Sequence, residues 1–347
     1  MGSKHHSLSE LVPTLADVAR FAGVSTATVS RCLNAPEQVQ EKTRDKVLAA
    51  VAELGYSPNF SAQSLAAKRT NTIGAIIPTM DNAIFARGLQ AVQEELGRVG
   101  ATLLVASSSY RRDLEADQIR ALVARGADGL LLIGHDRDAE VYAFLDRRQV
   151  PVVVSWAYDP TQPKPSIGFD NRKAMRAMAK EVLAKGHRRI AAISARQSDN
   201  DRARERMAGV REAMTEAGLD ASDLPVFETQ YTIEAGGAAF TALMTGTPAP
   251  TAVICGNDVL AVCALKAAQT LGLKVPQDVS ITGFDDIELS TVTTPALTTV
   301  HVPHREMGVL AARALWQMVT GETRGESLHL DTRLQLRDTL AAPALST

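Results

Sequence analysis

The sequence has few cysteines and few aromatic residues, and it has no long apolar run. Its three cysteines, Cys32, Cys255 and Cys263, show neither CxxC spacing nor a neighbouring histidine cluster. This pattern disfavours a zinc site and a disulfide framework, so all three are predicted to be small core residues. No window approaches the roughly 18 consecutive apolar residues of a membrane-spanning helix, and residues 1–13 lack the apolar region of a secretory signal. We therefore expect a cytoplasmic protein with no membrane partner.

Motifs for catalysis and cofactor binding are also missing. The sequence contains no GxGxxG, GxxxxGK[ST], GxSxG or HExxH, and its seven histidines show no metal-ligand spacing. The adjacent carboxylates Asp285 and Asp286 could be an acid–base pair, but neighbouring residues seldom face one reacting atom. We therefore predict a protein that is not an enzyme and has no cofactor and no metal site.

Size and charge divide the chain into regions. Its 347 residues, 45% of them apolar and 22% charged, are typical of a globular protein with two or three domains. Residues 1–70 hold eight Lys or Arg and six Asp or Glu, whereas the remainder holds 29 and 33. A basic N-terminal segment is compatible with nucleic-acid binding. An ordinary solvated surface explains so small an excess of positive charge better, so charge alone does not predict nucleic-acid binding.

The first 56 residues carry the pattern of three short helices. Thr14 and Asp17 have the spacing of a capping box, and Gly23 ends the helix that follows. Ser25 can cap a second helix almost at once, so the connection is a tight turn. A third helix, about residues 40–54, has apolar positions that are predicted to face inward: Val47, Leu48, Val51 and Leu54. Helix, tight turn, helix and supporting helix form a DNA-reading arrangement.

Two further patterns follow. The Ala-rich residues 59–68 are too few for a stable isolated helix, so this segment is predicted to be a hinge that folds only when stabilised. Short apolar runs predict strands at residues 73–77, 102–106, 129–133, 151–155, 190–193, 251–255 and 279–282. Amphipathic helices separate them at residues 83–99, 114–125, 173–185, 202–217, 233–243 and 260–271. This alternation predicts two doubly wound α/β lobes with buried parallel sheets and a ligand cleft between the lobes.

The second helix has small polar side chains on the face that its apolar residues leave free. Thr26, Ala27, Thr28 and Ser30 would let this helix approach a major groove closely, and Arg31 can bond bidentately to guanine. An ordinary solvated helix face is the alternative.

Several runs resemble one family over nearly the whole chain. The runs LADVARFAGVSTATVSRCLN, ELGYSPN and AQSL resemble the headpiece of the lactose/galactose repressor family, and VPQDVSITGFDD and TTPALTTV are similar to its later signatures. The resemblance implies a dimeric transcription repressor with a small all-α helix-turn-helix headpiece and a periplasmic-binding-protein-like core. The predicted parts are an N-terminal extension (1–13), a DNA-binding domain (14–58), a hinge helix and linker (59–70) and a core (71–347), with lobes at about 71–168 plus 301–330 and 169–300 plus 331–347.

The resemblance also implies DNA contacts. Thr26 and Ala27 match base-reading positions, and Leu65 matches a hinge leucine that wedges into the minor groove. Packing of two hinge helices is a further role for Leu65. Gln63 stands where many relatives carry arginine, which weakens the minor-groove electrostatics. The predicted DNA-binding set is Ser25, Thr26, Ala27, Thr28, Arg31, Asn34, Tyr56, Asn59, Ala62 and Leu65.

A second implied site binds a small-molecule effector. Arg202 and Arg206 lie four apart at a helix start, on one face, and suit vicinal hydroxyls or a carboxylate. A pair of exposed arginines is the alternative, and the match of Arg206 to a ligand-binding arginine of the family disfavours it. Aromatic rings near strand ends could stack on a pyranose, with ordinary core packing as the alternative, and Asp258 is expected to cap a helix. The predicted effector set is Phe85, Trp156, Asp170, Arg202, Arg206, Tyr231, Asn257 and Asp285.

The resulting prediction is a repressor whose operator affinity depends on a sugar or sugar acid, similar to gluconate-type repressors. The alternatives are a sugar-binding receptor without DNA activity and an enzyme of carbohydrate metabolism on the same fold. The sequence leaves open the effector, the operator, the choice between inducer and corepressor, and the choice between dimer and tetramer.

Overall fold

The structure is a computed structural model that describes residues 13–57, 69–80 and 83–344. The chain divides into two compact units, Met1–Thr70 and Asn71–Thr347. The extension before Pro13 and the predicted hinge helix, with Asn59, Ala62 and Leu65, lie outside the described residues. Within the described ranges, no helix combines the length and the apolar character needed to cross a bilayer.

The smaller unit contains three helices and a single 3₁₀ turn among its described residues. They are α1 (Leu15–Ala22), α2 (Thr26–Asn34), the 3₁₀ turn (Pro36–Gln38) and α3 (Glu41–Leu54). The predicted capping box is present, because Asp17 N donates to Thr14 Oγ1 at 3.3 Å and Thr14 N donates to Asp17 Oδ2 at 3.0 Å. Gly23 follows α1 at φ +63°, a left-handed conformation that favours glycine and allows the tight turn into α2.

The core of the smaller unit explains one wrong prediction. Val18, Val29, Cys32 and Val47 are buried together. Leu48 was expected to face this core, but its side chain is 46% exposed. Each helical residue turns by about 100°, so Val47 and its neighbours three and four positions on share one face, and the residue next to Val47 points away from it.

The larger unit alternates strands and helices. Its first half contains β1 (Thr72–Ile77), α4 (Ala86–Arg98), β2 (Thr102–Ser107), α5 (Arg112–Ala124), β3 (Gly129–Ile133), α6 (Ala139–Arg147), β4 (Val152–Ser155), β5 (Ser166–Gly168) and α7 (Asn171–Ala184). Then come β6 (Ile190–Ala195), α8 (Asp201–Glu216), a 3₁₀ turn (Ala221–Asp223), β7 (Val226–Thr229), α9 (Ile233–Thr245), β8 (Ala252–Cys255), α10 (Asp258–Thr270) and β9 (Ser280–Thr282). The last elements are α11 (Leu289–Val292), β10 (Thr299–His301), α12 (His304–Thr320), β11 (Leu328–His329) and β12 (Arg333–Gln335).

Two parallel sheets organise these elements. The first has the order β11-β5-β4-β3-β1-β2 and the second β7-β6-β8-β9, and all their strand pairs are parallel. Strands β10 and β12 form a separate antiparallel pair. The chain leaves the first sheet after β5, returns to it after β10 and leaves it again after β11. These crossings place the carboxyl ends of both sheets around a shared cleft.

The seven predicted strands are all present, but one is not buried as expected. Strand β2 forms an edge of the first sheet, and its side chains Leu104 and Val105 are 37% and 39% exposed. An edge strand has one neighbour instead of two, so less of its surface is covered. The three cysteines are buried free thiols, which confirms the prediction that they are core residues.

Candidate effector site and DNA-reading helix

Six of the eight predicted effector residues line one small cavity. These six are Phe85, Trp156, Arg202, Arg206, Tyr231 and Asp285, and the cavity has a volume of about 20 Å³. Phe85 and Trp156 follow strands of the first sheet, whereas the other four belong to loops and helices around the second. The inner cavity, as we call this space, therefore lies where the two lobes meet.

Arg206 is held in place from several sides. Its Nε donates to Asn171 Oδ1 at 2.8 Å, and its Nη1 donates to the carbonyl oxygen of Gly256 at 2.6 Å. The guanidinium carbon lies 3.7 Å from the centroid of the Phe284 ring, a cation–π distance. Its remaining nitrogen, Nη2, lies 3.6 Å from Asp285 Oδ1. Arg206 and Asp285 both line the inner cavity, so this charged pair borders that space.

Asp285 is a buried carboxylate with unused hydrogen-bonding capacity. Its side chain is 0% exposed, and neither of its oxygens has a hydrogen-bond partner among the described residues. Burial raises the pKa of Asp285 to about 6, although the charges of Arg206 and Arg202 oppose the shift. Buried acceptors are nearly always satisfied in folded proteins, so a carboxylate in this state is poised to accept bonds from a bound molecule.

The aromatic wall of the inner cavity depends on a buried histidine. Trp156 Nε1 donates to His304 Nδ1 at 3.2 Å, and His304 Nε2 lies 3.1 Å from the carbonyl oxygen of Asp285. Burial lowers the pKa of His304 to about 3, so the ring is neutral and can accept at Nδ1 while it donates at Nε2. Phe85 packs edge-on against Trp156 with ring centroids 5.3 Å apart. His304 thus links the tryptophan to the backbone that carries Asp285.

Three residues of this site have strained backbone. Tyr110, Trp156 and Asp285 have φ angles of +57°, +60° and +107°, in the region that L-residues seldom adopt. Such strain persists only where the surrounding structure holds it, and it is concentrated at binding and catalytic sites.

Two predicted effector residues cap helices and do not line the inner cavity. Asp170 caps α7 by accepting from Lys173 N at 2.9 Å, and it does not line the inner cavity. The next residue, Asn171, is the one that contacts Arg206, and it also donates to the carbonyl oxygen of Trp156 at 3.0 Å. Asn171 is buried because it lies inside the first turn of α7, whereas the cap residue before it faces partly outward.

The start of α10 corrects another expectation. Asn257, not Asp258, caps this helix, because its Oδ1 accepts from Leu260 N at 2.9 Å. Asn257 does not line the inner cavity, although its Nδ2 is buried and has no partner among the described residues. Asp258 accepts from Thr299 Oγ1 at 2.5 Å and from Ile287 N at 2.9 Å. Asp258 therefore ties α10 to the segments that follow β9.

A larger chamber adjoins the inner cavity. Its volume is about 710 Å³, and it shares Tyr110, Asn200 and Tyr231 with the inner cavity. Burial raises the pKa of both tyrosines, so their hydroxyls remain protonated. Tyr110 and His304 lie outside the runs that resemble the repressor family, so the sequence did not point to them. Asn171 belongs to the run Phe169-Asp170-Asn171, but there the prediction fell on its neighbour Asp170.

Helix α2 presents most of its predicted DNA-binding residues to solvent. Thr26, Ala27, Arg31 and Asn34 are exposed. Ser25 caps the helix by accepting from Thr28 N at 3.1 Å, and the two hydroxyls lie 2.9 Å apart, so this pair is engaged locally. Tyr56 packs its ring in the headpiece core and is 8% exposed. The exposed surface of α2 and its cap therefore includes Ser25 together with these four residues.

A helix-turn-helix unit followed by a two-sheet, cleft-containing core defines the class of DNA-binding regulators with an effector domain. Residues 14–59 match the model described as bacterial regulatory proteins, lacI family, and residues 179–340 match the periplasmic binding protein-like domain. Catabolite control protein A of Priestia megaterium is 33% identical over 325 residues, which are 93% of this chain and 98% of that protein.

Two further comparisons agree. The HTH-type transcriptional repressor PurR of Vibrio campbellii is 36% identical over 309 residues, 88% of this chain and 92% of that protein. The crystal structure of the lac repressor dimer bound to operator and the anti-inducer ONPF is 29% identical, with a TM-score of 0.84, and covers 96% of this chain and 100% of that chain. The chain belongs to the lacI family. Its members are transcriptional repressors that bind operator DNA as dimers and respond to small-molecule effectors.

Proposed function

We propose that this protein represses transcription by placing α2 of two subunits on a pseudo-palindromic operator, and that a sugar or sugar acid in the cleft controls its affinity for DNA. One observation carries the effector part of this proposal. Asp285 is buried beside the fixed guanidinium of Arg206, and neither of its carboxylate oxygens accepts a hydrogen bond from a residue that the structure describes. A ligand with vicinal hydroxyl groups would donate to the carboxylate and accept from Arg206 at once.

The position of the cleft supports coupling between ligand and DNA. A ligand shifts a conformational equilibrium only if it prefers one arrangement over the other. Phe85 and Trp156 come from one lobe, and Tyr231 and Arg206 from the other. A molecule that contacts both sets therefore stabilises one lobe arrangement, which the predicted hinge would transmit to the headpiece.

We propose no catalysed reaction. Asp285 faces Arg206, whereas the adjacent Asp286 binds Arg337 at 2.6 Å and His301 at 2.8 Å, so the two carboxylates do not converge on one reacting atom. Membership of a repressor family favours DNA binding over the receptor and enzyme alternatives. Because the partner is DNA, the proposed compartment is the cytoplasm.

The dimer face is proposed at the free sheet edges. Strands β2 and β7 each end their sheet, and both expose large apolar side chains, namely Leu104, Val105 and Phe227. Exposed apolar edges of this kind pair with another chain or are covered by it.

Gel shifts with an operator selected from random duplexes test the DNA part. Arg31→Ala should weaken binding by ~1–3 kcal/mol, roughly 5- to 150-fold, because a bidentate arginine–guanine contact is lost. Arg120→Ala is the matched control, since this exposed arginine of α5 pairs with Asp117 in its own helix and with no other residue in the described ranges. An unchanged affinity in Arg31→Ala, or no preference for any duplex over competitor, would overturn the DNA-binding proposal.

The effector part has its own test. Arg206→Ala should abolish the response of operator binding to the effector, because the buried Asp285 loses its neighbouring charge and the ligand loses its donor. The titration follows operator affinity at rising concentrations of the effector. A full response in the variant would show that the effector binds elsewhere.

A further inference from the structure

An aromatic pair separates the two parts of the cleft. Tyr110 follows β2 in one lobe and Tyr231 follows β7 in the other, and their ring centroids lie 5.6 Å apart with a tilt of 57°. Both rings line the inner cavity, and both also line the larger chamber. The pair therefore separates the inner cavity from the larger chamber, which we call the outer chamber.

The two spaces differ greatly in size. A cavity must offer roughly 10–15 Å³ to hold one water molecule, so the inner cavity of about 20 Å³ admits a single hydroxyl-sized group. Pockets that enclose whole ligands usually measure about 300–1,000 Å³, and the outer chamber of about 710 Å³ lies within this range. A bound molecule thus places one tip in the inner cavity and its body in the outer chamber.

The inner cavity selects for a hydrogen-bond donor at this tip. Both oxygens of Asp285 lack partners among the described residues, and Arg206 borders the same space. A hydroxyl group satisfies both neighbours, since it can donate to the carboxylate and accept from the guanidinium. A carboxylate at the tip would instead place a second negative charge beside Asp285 in a buried space, which is unfavourable.

The outer chamber is polar and its charges balance. Six of its lining residues are neutral hydrogen-bonding side chains: Thr79, Ser109, Asn200, Thr229, Gln230 and Thr232. Its charged lining residues are two arginines and two carboxylates: Arg111, Arg196, Asp199 and Glu228.

Most of these charged groups already have partners. Arg111 pairs with Asp113, and Asp199 lies 3.3 Å from Arg112 Nε. Glu228 accepts from Gln197 Nε2 at 2.7 Å. The chamber therefore presents hydroxyl and amide groups with two tyrosine rings, which suits a neutral polyhydroxylated molecule better than an anion.

We propose that the effector is a neutral saccharide of at least two sugar units, bound across the tyrosine pair. A hydroxyl of the terminal unit enters the inner cavity and contacts Asp285 and Arg206. The ring of that unit packs against Tyr110 and Tyr231 at the entrance, and the second unit lies beside it in the outer chamber. This inference rests on the proposed effector function of the cleft and narrows its ligand class from sugars and sugar acids to neutral oligosaccharides and glycosides.

Calorimetry on the purified full-length chain tests the ligand class. The probes are glucose, galactose, gluconate and galacturonate, with the disaccharides maltose, cellobiose, lactose and melibiose. We expect at least one disaccharide to bind about tenfold or more tighter than its component monosaccharides and the acids, a difference of about 1.4 kcal/mol. The inference is overturned if a monosaccharide or an acid binds as tightly as every disaccharide, or if none of these probes binds.

A variant locates the second sugar unit. Gln230 is an exposed residue of the outer chamber and is absent from the inner cavity. Gln230→Ala should weaken binding of the selected disaccharide about 3- to 10-fold, the net contribution of one or two neutral hydrogen bonds, and leave binding of its monosaccharide unchanged. Gln269→Ala on α10, outside both spaces, is the matched control and should change neither. An equal loss of affinity for the disaccharide and the monosaccharide, or no loss for either, would overturn the placement of the second sugar unit beside Gln230.

Gel shifts on the same preparation separate the two proposals. Specific operator binding without disaccharide binding would overturn the ligand inference alone. If the unmodified chain shows no specific operator binding, the proposed function is overturned.

Discussion

At the scale of single residues, the pKa values of two neighbouring carboxylates are shifted in opposite directions. Asp285 is fully buried, its carboxylate accepts no hydrogen bond within the described part of the chain, and burial raises its pKa to about 6. Burial also raises the pKa of Asp286, but hydrogen bonds from Arg337 and His301 outweigh that effect, so its pKa lies below the usual value. The ionised form of Asp285 is therefore costly in the folded chain, whereas the ionised form of Asp286 is favourable.

Asp285→Asn should stabilise the unliganded protein and prevent effector binding. A raised carboxyl pKa contributes stability that is present below the unfolded pKa of about 3.9 and is lost as pH rises through about 6. A shift of about two units corresponds to on the order of 3 kcal/mol, so the free energy of unfolding above about pH 7 should rise by up to that amount. Asparagine also tolerates the positive φ at this position.

Urea unfolding between about pH 5 and pH 8, followed by tryptophan fluorescence, measures the Asp285→Asn effect. Both tryptophans, Trp156 and Trp316, belong to the larger unit, so the signal reports on the core. Asp258, which also has a raised pKa, remains in the variant and leaves a residual pH dependence. Asp286→Asn is the matched comparison. It should lower the free energy of unfolding at neutral pH, and its difference from the unmodified protein should shrink as pH falls. A change in the free energy of unfolding in the same direction in both variants would contradict the opposite pKa shifts of Asp285 and Asp286.

At the scale of elements, α4 and α12 approach each other through glycine. Gly88 of α4 and Gly308 of α12 face each other, and a Cβ atom on Gly308 would overlap the backbone carbonyl oxygen of Gly88. A Cβ atom on Gly88 would lie 2.5 Å from the ring of Trp156. The spacing of this helix pair therefore also sets the position of the aromatic wall of the inner cavity.

Gly308→Ala should lower stability although alanine favours helices. The helix gains up to about 1 kcal/mol from the substitution, but overpacking against backbone typically costs about 1–3 kcal/mol. Displacement of α12 also moves His304 and hence Trp156, so effector affinity should fall. Thermal unfolding and ligand titration measure the two effects. Gly97→Ala in α4 is the control, because no atom lies within 4 Å of the added Cβ, and it should be neutral or stabilising. A Gly308→Ala variant as stable as the control would show that the helices separate freely.

At the scale of the whole core, polar contacts join the two lobes beside the cleft. Arg204 Nη1 of α8 lies 3.0 Å from Asp136 Oδ2 in the loop after β3, and His135 N donates to Asp201 Oδ2 at 2.5 Å. Arg202 Nη1 donates to the carbonyl oxygen of Ile133 at 3.1 Å. These contacts hold together loops that come from different sheets, and they favour the closed arrangement of the cleft.

Arg204→Gln should weaken effector binding modestly. The pair with Asp136 is partly exposed, so its loss costs about 0.2–1 kcal/mol, and a smaller closed population lowers the apparent affinity by up to about fivefold. Calorimetry with the saccharide selected above measures this loss, which should diminish at high salt because the wild-type pair is screened. Arg120→Gln, whose partner Asp117 lies in the same helix, should leave the affinity unchanged. Tighter binding in Arg204→Gln would show that the open arrangement binds the effector.

The sequence by itself determined the features that depend on neighbouring residues. The caps at Thr14 and Ser25, the turn at Gly23 and the apolar run of β3 are local, so spacing and residue type were sufficient to predict them. The four-residue spacing of Arg202 and Arg206 likewise predicted that both lie on one face of a helix. The resemblance to the repressor family, and not the spacing, implied that this face belongs to the effector site.

Tertiary structure alone decided the features that depend on distant pairing. Strands β5, β10, β11 and β12 have two or three residues each, and they exist because a partner strand satisfies their backbone groups. Asn171 and His304 contribute to the inner cavity because folding brings them to Arg206 and Trp156, the latter 148 positions away from His304. The raised pKa of Asp285 has the same origin, since residues remote in sequence exclude water from its carboxylate.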